Sequence, residues 1–273
     1  MFSSITKPLI MGILNATPDS FSDGGKFNQL ENALQHALQM VKDGATIIDI
    51  GGESTRPNSE SVSADEQIKR VVPIIEAIRQ HSDVLISIDT TLSHVAEAAL
   101  NAGANLINDV SAGQNDVQMF ALAAQRNVPI ILMHAQGTPK TMQENPHYEN
   151  VVLDVIAALT LRANDAMAAG VKKENIVLDV GIGFGKRKQD NLDLLAHLVD
   201  FVALGFPVLL GTSRKRFMGE ICGVSEPAEL VTATAVTTAL GVMAGVQLFR
   251  VHDVKENKQA LDVAWAIKNM ISL

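Results

Sequence analysis

Residues 84–110, VLISIDTTLSHVAEAALNAGANLINDV, hold one complete structural unit and the start of the next. Val84–Ile88 is a short apolar run with β-branched residues, the composition of a strand buried on both faces. Leu92–Asn101 carries helical periodicity, and Gly103 follows it, where a left-handed C-terminal cap favours glycine. A second apolar run, Leu106–Val110, then begins. Both runs end in groups that an apolar interior holds only at a cost: Asp89 after the first, Asn108 and Asp109 in the second.

The unit recurs along the chain. Further apolar runs lie at Leu9–Leu14, Thr46–Ile50, Val128–Met133, Ile176–Val180, Val208–Leu210 and Gln247–Val251. Helical patterns lie at Gln29–Lys42, Ala64–Gln80, Val117–Arg126, Val151–Ala169, Asn191–Ala203, Ala228–Ala244 and Asn257–Met270. Val117, Phe120, Ala121 and Ala124 fall on one helical face. Gly44, Gly170 and Gly205 mark further helix ends. Eight units in 273 residues, about 34 residues each, predict a (β/α)8 TIM barrel, with 1–273 as one domain. A doubly wound open sheet is the alternative. Even spacing, with no linker, low-complexity segment or second compositional block, favours the barrel.

Composition removes several function classes. Lys plus Arg is 22 and Asp plus Glu is 30, a net charge of −8 with no basic run, so no nucleic-acid partner is expected. One cysteine, Cys222, excludes an intramolecular disulfide framework and fits a reducing, cytoplasmic location. After Lys7, the apolar run from Pro8 to Leu14 has no small-residue cleavage site behind it, so no signal peptide is expected. Leu230–Phe249 lacks charge over a length that could span a bilayer. Its four threonines, one glutamine and two glycines read instead as a buried helix running into a buried strand, with no membrane partner.

In a barrel the strand C-termini share one mouth, and here every run ends in polar groups. They are Asn15, Asp49 with Glu53, Asp89, Asn108 with Asp109, His134, Asp179, Ser213 to Lys215, and Arg250 with His252 and Asp253. One polar end residue is an ordinary cap; eight together make a site. Asp89, Asn108 and Asp179 offer acceptors, as the donor edge of an aminopyrimidine requires, and Lys215 offers a donor. Ion pairing within the barrel is the competing role for the two aspartates, and a structural amide for Asn108. Arg250 and His252, before a helix opening near Asp253, fit the phosphate site that barrels build after strands seven and eight. Arg56, on the long loop 51–63, adds charge from above or is a solvated loop residue. His252 is also open as a general acid or base, or as a structural histidine.

Several familiar motifs fail. Residues 181–186, GIGFGK, are neither GxGxxG nor a Walker A loop, because Arg187 stands where Ser or Thr is needed. HExxH, paired cysteines and a strand-one HxH are missing, so no tightly protein-liganded metal is expected. Ser213 lacks the GxSxG elbow. Lys215 as a Schiff-base lysine needs desolvation, with Arg214 and Arg216 beside it lowering its pKa.

Eight segments in order resemble the dihydropteroate synthase family: GILNATPDSFSDGG (12–25), DIGGESTRP (49–57), SIDT (87–90), INDVSAG (107–113), MHAQGTP (133–139), GIGFGK (181–186), SRK (213–215) and RVHDV (250–254). The resemblance implies condensation of 6-hydroxymethyl-7,8-dihydropterin diphosphate with 4-aminobenzoate to 7,8-dihydropteroate and diphosphate, by a dissociative substitution through a pterin cation. It implies pterin binding by Asp89, Asn108, Asp179 and Lys215, with Met133, Phe184 and Gly211. Diphosphate falls to Asn15, Arg56, Arg250 and His252, with Mg²⁺ at Asn15. Aminobenzoate falls to Thr55, Arg56, Pro57, Phe184 and Ser213. Asp89, Lys215 and Arg250 carry the catalysis. Sulfonamides are implied as competitors and a homodimer as the assembly, with the uncharged helix before strand eight as a partner surface. The chain departs from the family at Val180, where proline is usual, at Ala135, where a larger residue is common, and at Arg216, an added cation near the aminobenzoate carboxylate. Competing readings are a methyltetrahydrofolate-type methyltransferase, which needs no diphosphate site, a non-catalytic pterin-binding homologue, and a Lys215 aldolase.

Overall fold

The computed structural model describes residues 6–16, 26–54, 59, 61–137, 141–142 and 144–271. Strands β1 (Leu9–Asn15), β2 (Ile47–Gly51), β3 (Leu85–Asp89), β4 (Leu106–Asp109), β5 (Ile130–Met133), β6 (Ile176–Asp179), β7 (Val208–Leu210) and β8 (Leu248–Val251) pair in chain order, each parallel to the next. β8 returns to β1, with Leu9 opposite Leu248 and Gly12 opposite Val251, and closes the (β/α)8 TIM barrel that the eight-fold repeat predicts. The open-sheet alternative is thereby excluded.

Ten helices surround the described barrel: α1 (Lys26–Lys42), α2 (Ala64–Arg79), α3 (Ser93–Ala102), α4 (Met119–Arg126), α5 (Val151–Ala168), α6 (Lys188–Ala196), α7 (Leu198–Val202), α8 (Arg216–Cys222), α9 (Val231–Ala244) and α10 (Val254–Ile271). Local chemistry sets their ends. Ser63 caps α2 by accepting from Glu66 N–H, and Asn150 caps α5 by accepting from Val152 and Leu153. Gly103 closes α3 at φ 115, a left-handed turn that any other residue would strain.

Four sequence expectations need correction. The helix expected over 191–203 is two helices, broken at His197, whose φ −112 and ψ 22 leave the helical region. α9 starts at Val231, not Ala228, because Pro227–Glu229 forms a 3-10 turn. α8 was not anticipated. Val117 does not open the helical face read from it: it is 83% exposed, and α4 instead buries Met119, Phe120, Leu122 and Ala123. Asp116 causes the shift by accepting from Ser93 N–H and Gln118 N–H ahead of the helix.

Two apolar layers form the core. Outside the barrel, strand side chains such as Ile48, Ile86 and Phe249 pack against the helices. Inside it, Met11, Ile47, Leu106, Ile131, Val177, Leu209 and Leu248 form a sealed plug, with Leu9 and Leu85 against it. Side chains alternate along a strand, so residues two positions beyond the plug also point inward, nearer the mouth. Those residues are Ile13, Asp49, Ser87, Asn108, Met133, Asp179, Gly211 and Arg250, with Asn15 and Asp89 one step higher. Among the described residues no helix is long and apolar enough to cross a membrane, and the uncharged run 230–249 resolves into α9 and β8.

Candidate active site

An open cleft sits on the plug, lined by Ile13, Asn108, Val110, Met133, Asp179, Gly181, Ile182, Phe184, Gly211, Ser213, Lys215 and Arg250. Alternation explains why polar groups occupy its floor: Asp49, Asn108, Asp179 and Arg250 each follow an inward apolar residue by two positions, and Asp89 follows Ser87.

The floor is one connected network. Arg250 Nε donates to Asp49 Oδ2 at 2.6 Å, and its Nη2 donates to Asp89 Oδ2 at 2.7 Å. Asn108 Nδ2 also donates to Asp49 Oδ2, at 3.1 Å, which leaves its amide oxygen as an acceptor for a ligand. Burial pulls the Arg250 guanidinium down, but the carboxylates of Asp49 and Asp89 outweigh it and hold the charge firmly on. Burial pushes Asp89 up to about 7, against the pull of Arg250 and with the help of Asp49. Asp179 rises to about 6, again through burial, opposed by the Gly181 N–H that donates to its Oδ1 at 2.8 Å. Lys215 is lowered to about 8 by burial first and Arg250 second. Its Nζ stands 4.1 Å from the Phe184 ring centroid, a cation–π contact.

Ser213 and His252 meet at the cleft's edge. Ser213 Oγ lies 2.9 Å from His252 Nδ1 and accepts from His252 N–H at 3.1 Å. Between Ser213 and Lys215, Arg214 sits at φ 58 and forms a two-pronged ion pair with Asp253, at 3.0 and 2.6 Å. That turn sends Arg214 away from Lys215, so Arg250, not Arg214 or Arg216, is the cation acting on Lys215. Arg216 is exposed and pairs with Glu220 on its own helix rather than reaching the cleft. Asn15, at the tip of β1, is half-buried. Val180 is fully buried before the Gly181 turn.

Asp89, Asn108, Asp179, Lys215, Met133, Phe184, Gly211, Ser213 and Arg250 therefore come to one place. Thr55, Arg56 and Pro57 lie outside the described residues. Three expected mouth groups face elsewhere. Glu53 accepts from Val62 N–H and Gln67 Nε2, Asp109 from the 111–113 turn, and Asp253 pairs with Arg214. Asp49 is the residue the sequence undervalued. It stands among the mouth groups of the sequence without an assigned contact, yet it joins Asn108 to Arg250; its place two residues after Ile47 is the available signal.

A barrel mouth with two carboxylates, an amide and a lysine beside an arginine–histidine corner defines an enzyme that reads a polar heterocycle next to an anion. The pterin binding enzyme family matches residues 11–252. The chain is 46% identical over 266 residues to the dihydropteroate synthase of Haemophilus influenzae, across 97% of this chain and 96% of that one. It superposes on the Yersinia pestis dihydropteroate synthase, solved with a sulfonamide drug complex, with TM-score 0.92 and 43% identity, covering 97% of this chain and 96% of that chain. The Xanthomonas albilineans dihydropteroate synthase, solved with 4-aminobenzoic acid, gives TM-score 0.91 and 41% identity over 97% and 94% of the two chains. The chain belongs to the pterin-binding enzymes and, within them, to the dihydropteroate synthase family.

Proposed function

We propose that the chain joins 6-hydroxymethyl-7,8-dihydropterin diphosphate to 4-aminobenzoate, releasing diphosphate and 7,8-dihydropteroate. The observation that carries this reading is the convergence of Asp89, Asn108, Asp179, Lys215 and Arg250 over a sealed apolar plug. The relatives' shared activity favours the synthase over the methyltransferase and the binding-only homologue.

The pterin lies over the plug. Asp179 keeps one oxygen on Gly181 N–H and turns the other toward the amino-pyrimidine edge. Asn108 accepts from the ring, Lys215 donates to its carbonyl, and Met133 and Gly211 give it walls. Asp89 faces the positive charge that develops when the methylene C–O bond breaks and diphosphate leaves with the electron pair. The aniline nitrogen attacks that methylene as the neutral amine and then loses a proton, so no strong base is required. Arg250 and His252, with Asn15 and Arg56, receive the diphosphate. Aminobenzoate lies against Phe184 and Ser213, with Thr55, Arg56 and Pro57 closing from above. The 4-aminobenzoic acid and sulfonamide complexes of the relatives support that subsite and make sulfonamides expected competitors.

Magnesium fits as an ion carried mainly by substrate. Among the described residues no three His, Cys, Asp or Glu side chains are grouped to hold a metal. Asn15 offers an amide oxygen at the tip of β1, which suits an ion that keeps phosphate oxygens and water as most of its shell. When bound it would supply charge neutralisation to the departing diphosphate. We also read the assembly as a homodimer through the exposed apolar sides of α9 and α10, and the location as cytoplasmic from the single thiol.

Turnover of the two substrates by purified protein, with and without Mg²⁺, tests the reading. Mg²⁺-dependent dihydropteroate that is lost in Lys215→Ala upholds it. A folded wild type that binds pterin and makes no product points to the binding-only homologue.

A further inference from the structure

The last residue of GIGFGK has no part in the site as built so far. Lys186 is only 3% exposed, and it is the one lysine among the described residues that is buried as a whole. Its amino group, lowered to about 7 by burial against the pull of Asp179, meets three acceptors from two loops: His134 Nδ1 at 3.0 Å, the His134 carbonyl at 3.2 Å and the Phe184 carbonyl at 3.0 Å. The contact to Nδ1 makes His134 an acceptor there, so its ring proton sits on Nε2. Burial, with Lys186 beside it, keeps that ring neutral by lowering it to about 3. The same loops touch through main chain. A Cβ at Gly181 would fall 1.8 Å from the His134 carbonyl oxygen, and one at Gly185 2.2 Å from that of Gln136. Tyr148 adds a 2.6 Å hydrogen bond to the Gly185 carbonyl.

Both ends of this clamp are walls of the cleft. Met133 directly precedes His134, and Phe184 carries the ring that faces Lys215 Nζ. Two of the pterin acceptors are fixed by other means: Asn108 through Asp49, and Asp89 through Arg250. Loss of the amino group therefore releases the Phe184 carbonyl and the β5 end while leaving those two groups in place.

We propose that Lys186 is a positioning residue for the aminobenzoate half of the reaction, holding Phe184 in register with Lys215 through its three hydrogen bonds. The inference rests on the reading of Phe184 as part of the aminobenzoate subsite. Lys186→Met keeps length and apolar bulk and removes the donors. Its KM for 4-aminobenzoate, and the Kd of a sulfonamide with pterin and diphosphate present, should each rise about tenfold, the effect of losing about one hydrogen bond's worth of order. The Kd of 6-hydroxymethylpterin, titrated by calorimetry, should rise clearly less than either, since Asn108 and Asp89 keep their own partners. His134→Ala, which leaves the two carbonyl acceptors, should give a smaller rise in the same direction.

A Lys186→Met protein with a lower melting temperature but unchanged KM for 4-aminobenzoate, assayed well below that temperature, would overturn the proposal and make the lysine merely structural. Pterin affinity falling as far as aminobenzoate affinity would overturn it too. If Lys186→Met does not fold, His134→Ala decides: an unchanged KM sinks the clamp. A wild type that binds the sulfonamide yet makes no dihydropteroate would defeat the reading of the reaction and leave the clamp to be judged on sulfonamide affinity. A wild type that binds neither defeats both.

Discussion

The Arg250 guanidinium donates to Asp89 at 2.7 Å and so ties β8 to β3 across the mouth of the barrel. With the second bond to Asp49 it uses two of its five N–H donors. The fork keeps donors for an anion without giving up either carboxylate. One side chain thus neutralises the floor under the pterin and offers charge to the leaving group.

Arg250→Ala should separate these two duties. Removing one partner of a buried ion pair costs about 3–5 kcal/mol, because the remaining charge has no compensation. kcat/KM should fall by about 10²–10³ if the guanidinium also meets developing charge. The stability loss should depend on pH. Asp89 is already raised to about 7, and Arg250 is what holds it down, so the variant's carboxylate rises further. A carboxylate raised in the folded state adds stability below its unfolded pKa and loses it as pH climbs through the folded one. Urea melts of both proteins at pH 5 and pH 8 should show the smaller gap at pH 5. Equal gaps would mean that the Asp89 carboxyl does not feel Arg250.

Asp179 sets a pH limit on pterin binding. It must be anionic to accept two N–H groups, and burial holds it near 6. Below that value the proton competes with the ligand. Affinity for 6-hydroxymethylpterin should therefore weaken on acidification, by about tenfold for each pH unit well below the pKa. Bound ligand favours the anion, so the midpoint in the complex should lie lower than in the free protein. Calorimetric titrations from pH 5 to 8 measure this. Asp179→Asn should bind weakly throughout and lose the slope that Asp179 contributes; an unchanged slope would place the titrating group elsewhere.

Gly183 tests the lysine's seat. A Cβ at this position would lie 3.0 Å from Lys215 Cδ and 3.4 Å from its Nζ, and the backbone φ of 83 is left-handed. Its N–H donates to Asn191 Oδ1 at 2.7 Å, which pins the turn against α6. Gly183→Ala should cost about 1–2 kcal/mol of stability through the φ alone. It should also push Lys215 off the Phe184 ring. Misplacement of about 1 Å can cost about 10²-fold in turnover. Wild-type kinetics in a destabilised Gly183→Ala protein would show that Lys215 tolerates the shift.

The barrel was legible because each repeat carried its own signals: an apolar run, a helical period and a glycine. The cleft floor was legible because Asp89, Asn108, Asp179 and Arg250 stand at strand ends, where period-two alternation turns them inward. What the sequence did not disclose are relations between elements. Glu53 is in phase with Asp49 and only its loop partners show that it turns away, whereas alternation already turns Asp109, one residue past Asn108, outward. Asp49 acts through Asn108 and Arg250, and Lys186 through His134, residues distant in the chain. Arg214 sits in a segment whose conformation its ion pair with Asp253 helps to define.

The homodimer reading makes a last prediction from two stripes of exposed apolar side chains. On α9, Val236, Leu240 and Met243 recur at helical spacing with exposures of 54%, 61% and 40%. On α10, Val263, Ile267 and Met270 repeat that spacing at 62%, 52% and 71%. The two helices pack side by side, and exposed apolar stripes of this kind mark association surfaces. A cyclic dimer would bury the same patch from both copies. Light scattering after size exclusion should therefore give twice the chain mass for the wild type. Leu240→Glu with Ile267→Glu should move it to one chain mass, since each introduced carboxylate would face its symmetry mate's apolar surface. None of the cleft-lining residues lies on either helix, so turnover per chain should survive the change. A monomeric wild type would refute the dimer outright, and a dimer that withstands both glutamates would place its interface on another side of the barrel.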